Sequence, residues 1–123
     1  MNSSMQETML TFFDEKIATC GRKAEMLAED GRSDEAVFER IRANIFDIFR
    51  KMLRVGIRQS GGDGGAVKSF FLEKLEQIPG SWHDSRDKAE QHSDVEKLQI
   101  ENVKLEAVKE IRDEFERIWG MGQ

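Results

Sequence analysis

A glycine-rich run near the middle of the chain, Ser60-Gly61-Gly62-Asp63-Gly64-Gly65, is followed by Ala66-Val67-Lys68-Ser69. Gly62, Lys68 and Ser69 match positions of the pattern G-x-x-x-x-G-K-[ST], in which backbone N–H groups wrap a phosphate and the lysine reaches its oxygens. Val67 stands where the second glycine belongs. A β-branched residue cannot cheaply take the conformation that bends the backbone round a phosphate. The pattern also needs a preceding strand, and the residues ending in Ile57-Arg58-Gln59 are helix-periodic instead. Residues 59–65 therefore read as a flexible glycine-rich loop, with Asp63 placed to cap the next helix.

A second group is electrostatic. Between Arg40 and Arg58 stand Arg40, Arg42, Arg50, Lys51, Arg54 and Arg58 against the single acid Asp47, a charge of +5. The net charge of the chain is −5, so the remaining 104 residues carry −10. On a helix, Arg40, Lys51, Arg54 and Arg58 share the face opposite the apolar stripe, with Arg50 at its edge. The first expectation is complementarity with the acidic helices of this chain or of a second subunit, or simply a solvated face. The rival is an anion or nucleic-acid patch on Arg50, Lys51, Arg54 and Arg58. Nucleic-acid binders are usually basic overall because phosphate contacts dominate their affinity, so an acidic chain makes nucleic acid the less expected partner.

A third group lies near the C-terminal end. Glu101 and Lys104 can pair across one helical turn, and Asn102 sits between Leu98 and Leu105 at coiled-coil spacing. Glu101, Asn102 and Lys104 are thus predicted to form a buried polar cluster, and Asn102 to set register or oligomeric state. No nucleophile with a base and an oxyanion device accompanies them, so a structural role is expected over a catalytic one. His83 precedes Asp87 by four residues and His92 precedes Glu96 by four, spacings that suit surface hydrogen bonds. Glu-x-x-His, HExxH and cysteine–histidine clusters are absent from the sequence, and neither a metal nor a cofactor is expected.

The elements that must hold these groups are helices. Hydrophobic residues make up 38% and charged residues 35%, with one proline and no tyrosine, a composition that suits amphipathic helices rather than short strands and turns. Helical spacing predicts a first helix from about Ser4 to Ala28 with Met5, Met9, Phe12, Phe13, Ile17, Cys20, Ala24 and Leu27 inward. Gly31 ends it in a left-handed cap and Ser33 caps the next helix. That second helix, about Asp34 to Arg58, places Val37, Phe38, Ile41, Ile45, Ile48, Phe49, Met52 and Val55 on one side. So short a connection makes the two an antiparallel hairpin.

The turn through Ala24, Leu27, Gly31, Asp34, Ala36 and Ala43 resembles the inter-helix turn of a tetratricopeptide repeat over some 20 residues. No second copy follows, and Ile48 stands where the closing proline belongs. Such repeats bury their faces only when about three are stacked, so a generic helical hairpin is the expectation.

Ala66 to Ile78 reads as a short third helix, with Val67, Phe70, Phe71, Leu75 and Ile78 inward and Pro79-Gly80 as its stop. Ser81 to Asp84 has capping-box spacing and predicts a short polar helix to about Gln91, anchored by Trp82 and Ala89. Ser93 to Glu96 repeats the spacing and opens a last helix that reaches Trp119 before Gly120. Its apolar arc is wide enough to meet two neighbours, or one neighbour and a second subunit.

The sequence thus predicts an all-α, up-down bundle of four to five helices in one domain of 123 residues. No run approaches the roughly 18 apolar residues of a membrane span. Met1 to Glu7 lacks the basic start and apolar stretch of a signal peptide. A lone Cys20 has no internal disulfide partner and points to the cytoplasm. The expected function is non-catalytic, through protein–protein contact and as a homodimer. The rivals are the anion patch, and a small-ligand or regulatory bundle with a pocket at Glu101 and Lys104.

Overall fold

The computed structural model describes residues 3–120 and contains five helices: α1 (Ser3–Glu29), α2 (Ser33–Ser60), α3 (Gly64–Gln77), α4 (Gly80–Gln91) and α5 (Val95–Trp119). They form the expected all-α up-down bundle. Met1 and Asn2, part of the stretch read for a leader, lie outside the described residues. Among the described residues no helix is long and apolar enough to cross a membrane.

Helix α2 is the central member and packs against α1, α3 and α5, while α4 packs chiefly on α5. This central place corrects the predicted stripe. Phe46 and Leu53, left off it, are fully buried, and Val37, placed on it, is 45% exposed. A helix with neighbours on three sides buries a wider arc than one amphipathic stripe. Helices α1, α3 and α5 follow their predicted faces more closely: Met9, Phe13, Val67, Phe71, Leu75, Ile111 and Phe115 all lie in the core.

The helix ends carry the informative local chemistry. Gly31 takes the expected left-handed conformation, and Arg32 N–H donates back to the Leu27 carbonyl at 2.8 Å. The same motif closes α2 at Gly61, where Gly62 N–H reaches the Ile57 carbonyl at 3.0 Å. Helix therefore extends from both sides into the predicted loop 59–65, and the connection shortens to residues 61–63. Asp63 is the expected cap and accepts from the Gly65 N–H. The Gln6 side chain, 5% exposed, donates to the Gly62 carbonyl and ties this turn to the start of α1.

Three predicted serine caps move. Arg32, not Ser33, precedes α2, because Gly31 completes the α1 turn one residue earlier. Pro79 precedes α4, and its carbonyl already accepts from Trp82 and His83, which puts Ser81 inside the helix. Ser93 carries the left-handed turn that ends α4, with φ 56°, so Asp94 becomes the cap of α5 and accepts from the Lys97 N–H.

Proline is the reason α3 and α4 are two helices. Ile78 and Pro79 keep right-handed helical angles, so the chain continues in the same sense across a kink. Pro79 has no N–H to offer the Leu75 carbonyl four residues back. Arg112 of α5 supplies the missing donor, with Nη2 at 3.3 Å from that oxygen. One side chain thereby satisfies the kink and joins α5 to it.

Two glycines predict opposite responses to one change. A Cβ on Gly56 would lie 2.8 Å from Phe70 Cδ1, whereas one on Gly21 meets nothing within 4 Å. Gly21→Ala should raise stability by about 0.5–1 kcal/mol through lower unfolded-chain entropy. Gly56→Ala should lower it by about 1 kcal/mol, because overpacking against α3 outweighs that gain. Urea melts of both variants give the two signs. Ser93→Gly should be stabilising by about 0.5 kcal/mol, the left-handed penalty of a side chain exceeding the added entropy of glycine, and calorimetry reads it as a higher Tm.

Candidate functional site

The basic segment of α2 does not present one uniform face. Arg50 is turned inward, with Nη1 at 2.7 Å from Asp14 of α1 and Nη2 at 2.6 Å from Asp47 one turn back. Lys51 reaches the other Asp47 oxygen at 3.1 Å. Hydrogen bonds from Lys51 and then Arg50 hold the Asp47 carboxyl below its ordinary range. Arg42, 2.7 Å from Glu110, braces α2 against α5. Arg40, Arg54 and Arg58 stay exposed with no ion pair among the described residues. Of the proposed patch, Arg50 is a structural brace, Lys51 a partner of Asp47, and Arg54 and Arg58 the remaining exposed pair.

The predicted cluster on α5 is partly assembled. Glu101 is 4% exposed, and the Lys104 ammonium donates to its Oε1 at 3.1 Å. The same ammonium lies 5.6 Å from the centre of the Trp82 ring, which fastens α4 to α5. Asn102 is not part of this cluster. It is exposed, since the next residue along a helix is turned by about 100° from Glu101. Neither Glu101 nor Lys104 lines the cleft between α2 and α5 or the groove beside the Pro79 kink. Glu101 Oε2 is buried without a hydrogen-bond partner, so Lys104 is the group that balances this carboxylate.

A polar seam that the sequence reading did not assemble joins three helices. Lys16 and Cys20 come from α1, Glu39 and Arg42 from α2, and Glu110 from α5. Glu110 takes Arg42 on one oxygen and stands 3.8 Å from Lys16 with the other. Cys20 lies beneath this layer at 3% exposure, beside the Glu39 carboxyl. Burial first, then the charge of Glu39, raises its thiol above the ordinary range, against a smaller opposing pull from Arg42. A protonated, enclosed thiol is a poor nucleophile. The seam can register helices, and its spacing of charged residues on α1, α2 and α5 is too irregular to be seen before the helices are brought together.

His83 and His92 both lie on the exposed side of the chain, at the start and end of α4. Among the described residues no group of three or more His, Cys, Asp or Glu side chains is arranged to hold a metal ion. Val67, the residue that departs from the phosphate-loop pattern, is fully buried in the core, and Lys68 and Ser69 follow it within α3.

A surface cleft of about 480 Å³ lies between the first turns of α2 and α5. Val37 and Phe38 form one wall and Val95 and Ile100 the other, with Asp34, Glu96 and Gln99 at the edges. The cleft covers Asp34 to Phe38 on α2 and Val95 to Ile100 on α5, little more than one turn of each. The same end of the bundle carries Met26 at 65%, Val37 at 45% and Val95 at 65% exposure, the large apolar residues that stay most open to solvent among those described. They come from the end of α1 and the starts of α2 and α5, so the topology gathers them. Sequence reasoning misses the cleft because helical spacing puts Val37 in the core and Val95 inside a capping box.

Cys20 provides a direct check on the packing of the seam. Its folded-state pKa is raised, so the unfolded chain gives up the thiol proton first, and stability should fall as pH rises past the ordinary thiol range. Cys20→Ala should flatten that alkaline decline. In the native protein a thiol reagent should react about 100-fold slower than with the unfolded chain, since reaction waits on local opening. Fast native labelling would show the seam to be open. Compared with protein-family models, with curated proteins and with solved structures, the chain matches none.

Proposed function

We propose that this chain is a cytoplasmic, non-catalytic helical bundle that acts through protein–protein contact at the cleft between α2 and α5. The observation that carries this reading is the gathering of Met26, Val37 and Val95 at one end of a bundle whose other large apolar residues are mostly covered. A lone exposed valine is ordinary, but a cleft with apolar walls and a polar edge is the usual form of a helix-accepting surface. Covering the two valines would contribute on the order of 1 kcal/mol each, a useful core for a modest interface.

The sequence expectation of a homodimer rests on the wide apolar arc of α5. That arc meets α1, α2, α3 and α4 of its own chain. Self-association therefore falls to the cleft as well, and light scattering on the purified protein distinguishes a second copy from a different partner. The exposed Arg54 and Arg58 support the anion reading less well, because Arg50 and Lys51 are held by carboxylates of the same chain.

The test compares the wild type with Val37→Asp/Val95→Asp and with Arg54→Glu/Arg58→Glu, all checked for unchanged helicity. Quantitative affinity capture from cytosol, with light scattering for self-contact, should show the bound protein lost from the cleft variant and kept by the arginine variant. The reverse pattern would move the function to the basic helix. Capture indifferent to both pairs would remove the reading.

A further inference from the structure

The cleft also specifies what kind of helix it would accept, an inference that rests on the protein-contact reading. Its lining contains two carboxylates, Asp34 and Glu96, one amide, Gln99, and no cation. Glu35 and Asp94 stand beside them at the same helix starts. Nearby Arg32 is engaged by Glu35, and Arg40 and Lys97 follow along their helices without lining the cleft. The positive ends of two helix dipoles offset part of this negative charge, each equivalent to about half a unit. Among the residues that line the cleft itself, two carboxylates against two half-charges leave a negative balance of about one unit.

We infer that the occupant is a basic amphipathic helix of another protein, its apolar stripe between Val37, Phe38, Val95 and Ile100 and its flanking lysines or arginines against Asp34 and Glu96. The lining spans little more than one turn of each helix, so the cleft seats about one turn of a third helix, with its apolar anchors at helical spacing. A second copy docking by the same face would bring a second set of these carboxylates to the rim, which like-charge repulsion opposes. Nucleic acid and anionic lipid are opposed on the same ground. Complementary rim charge acts mainly on association rate and salt dependence, so the interaction should weaken steeply as salt is added.

Two labelled synthetic helices provide the probe, with an identical leucine stripe and either a lysine-rich or a glutamate-rich polar face. Fluorescence anisotropy with the full chain should show the lysine peptide binding about tenfold tighter at low salt, a preference that largely disappears near 1 M salt. Asp34→Asn/Glu96→Gln should reduce lysine-peptide affinity several-fold without changing the melting curve greatly, and Val37→Asp/Val95→Asp should disrupt the apolar seat for both peptides. Equal binding of both peptides, unmoved by the Asn/Gln pair, overturns the basic-helix inference and leaves the cleft as an apolar docking surface. A dimer in light scattering that the valine variants dissociate also overturns it, with a second copy as occupant. If neither peptide responds to the valine variants and the chain is a monomer, the inference and the protein-contact reading fail together.

Discussion

The ring of Phe71 is where four helices of this bundle meet. It projects from the short α3 and lies 6.2 Å from Phe13 of α1, 6.2 Å from Phe49 of α2 and 5.0 Å from Phe115 of α5, measured between ring centres. The first two contacts are edge-to-face, the arrangement that sets the positive edge of one ring on the negative face of another. Phe115 in turn stacks on Trp119 at 4.7 Å, which carries the aromatic chain to the end of α5. Everything else about α3 serves this placement. Its start is set by the Asp63 cap, its close approach to α2 by Gly56, and its end by Pro79.

Charge organises the outer layer as the aromatics organise the inner one. The strongly basic middle of α2 would repel itself if exposed as a continuous stripe. Asp14, Asp47 and Glu110 answer it instead, so Arg42 and Arg50 become braces to α5 and α1. These pairs are partly exposed and individually worth little, typically within about 1 kcal/mol. Their value is directional: they fix which faces of α1, α2 and α5 turn toward one another. Glu101 and Lys104 do the same for α4 through Trp82. No comparable brace spans the starts of α2 and α5 among the described residues, and that end of the bundle is where the apolar cleft opens.

Much of this is legible before folding is considered. The borders of α1 and α5, the stop at Pro79, the left-handed Gly31 and the Asp63 cap all rest on interactions within a few residues. The departures share a different origin. The cap expected at Ser93 moves on to Asp94 because Ser93 itself takes the left-handed turn that ends α4, whereas α2 starts one residue early, with Arg32 as its cap directly after the left-handed Gly31. Phe46 and Leu53 escape the predicted stripe because α2 has three neighbours, and a single periodic stripe describes a helix with one. Asn102 is drawn inward by heptad spacing that belongs to a pair of helices, whereas α5 packs against four.

The site is less legible still. Arg42, Glu110 and Lys16 stand far apart in the chain and have nothing in their spacing to link them. Met26, Val37 and Val95 look like three unrelated apolar residues until the up-down topology sets the end of α1 beside the starts of α2 and α5. By itself the sequence determined helix type, helix limits to within a residue or two, and the inward faces of α1, α3 and α5, because hydrogen bonding, capping and periodicity act over a few residues. Tertiary structure alone decided which cations are consumed by internal carboxylates and which apolar groups remain uncovered. Those outcomes depend on the neighbours of each face, and neighbours are set by packing around Phe71 rather than by distance along the chain.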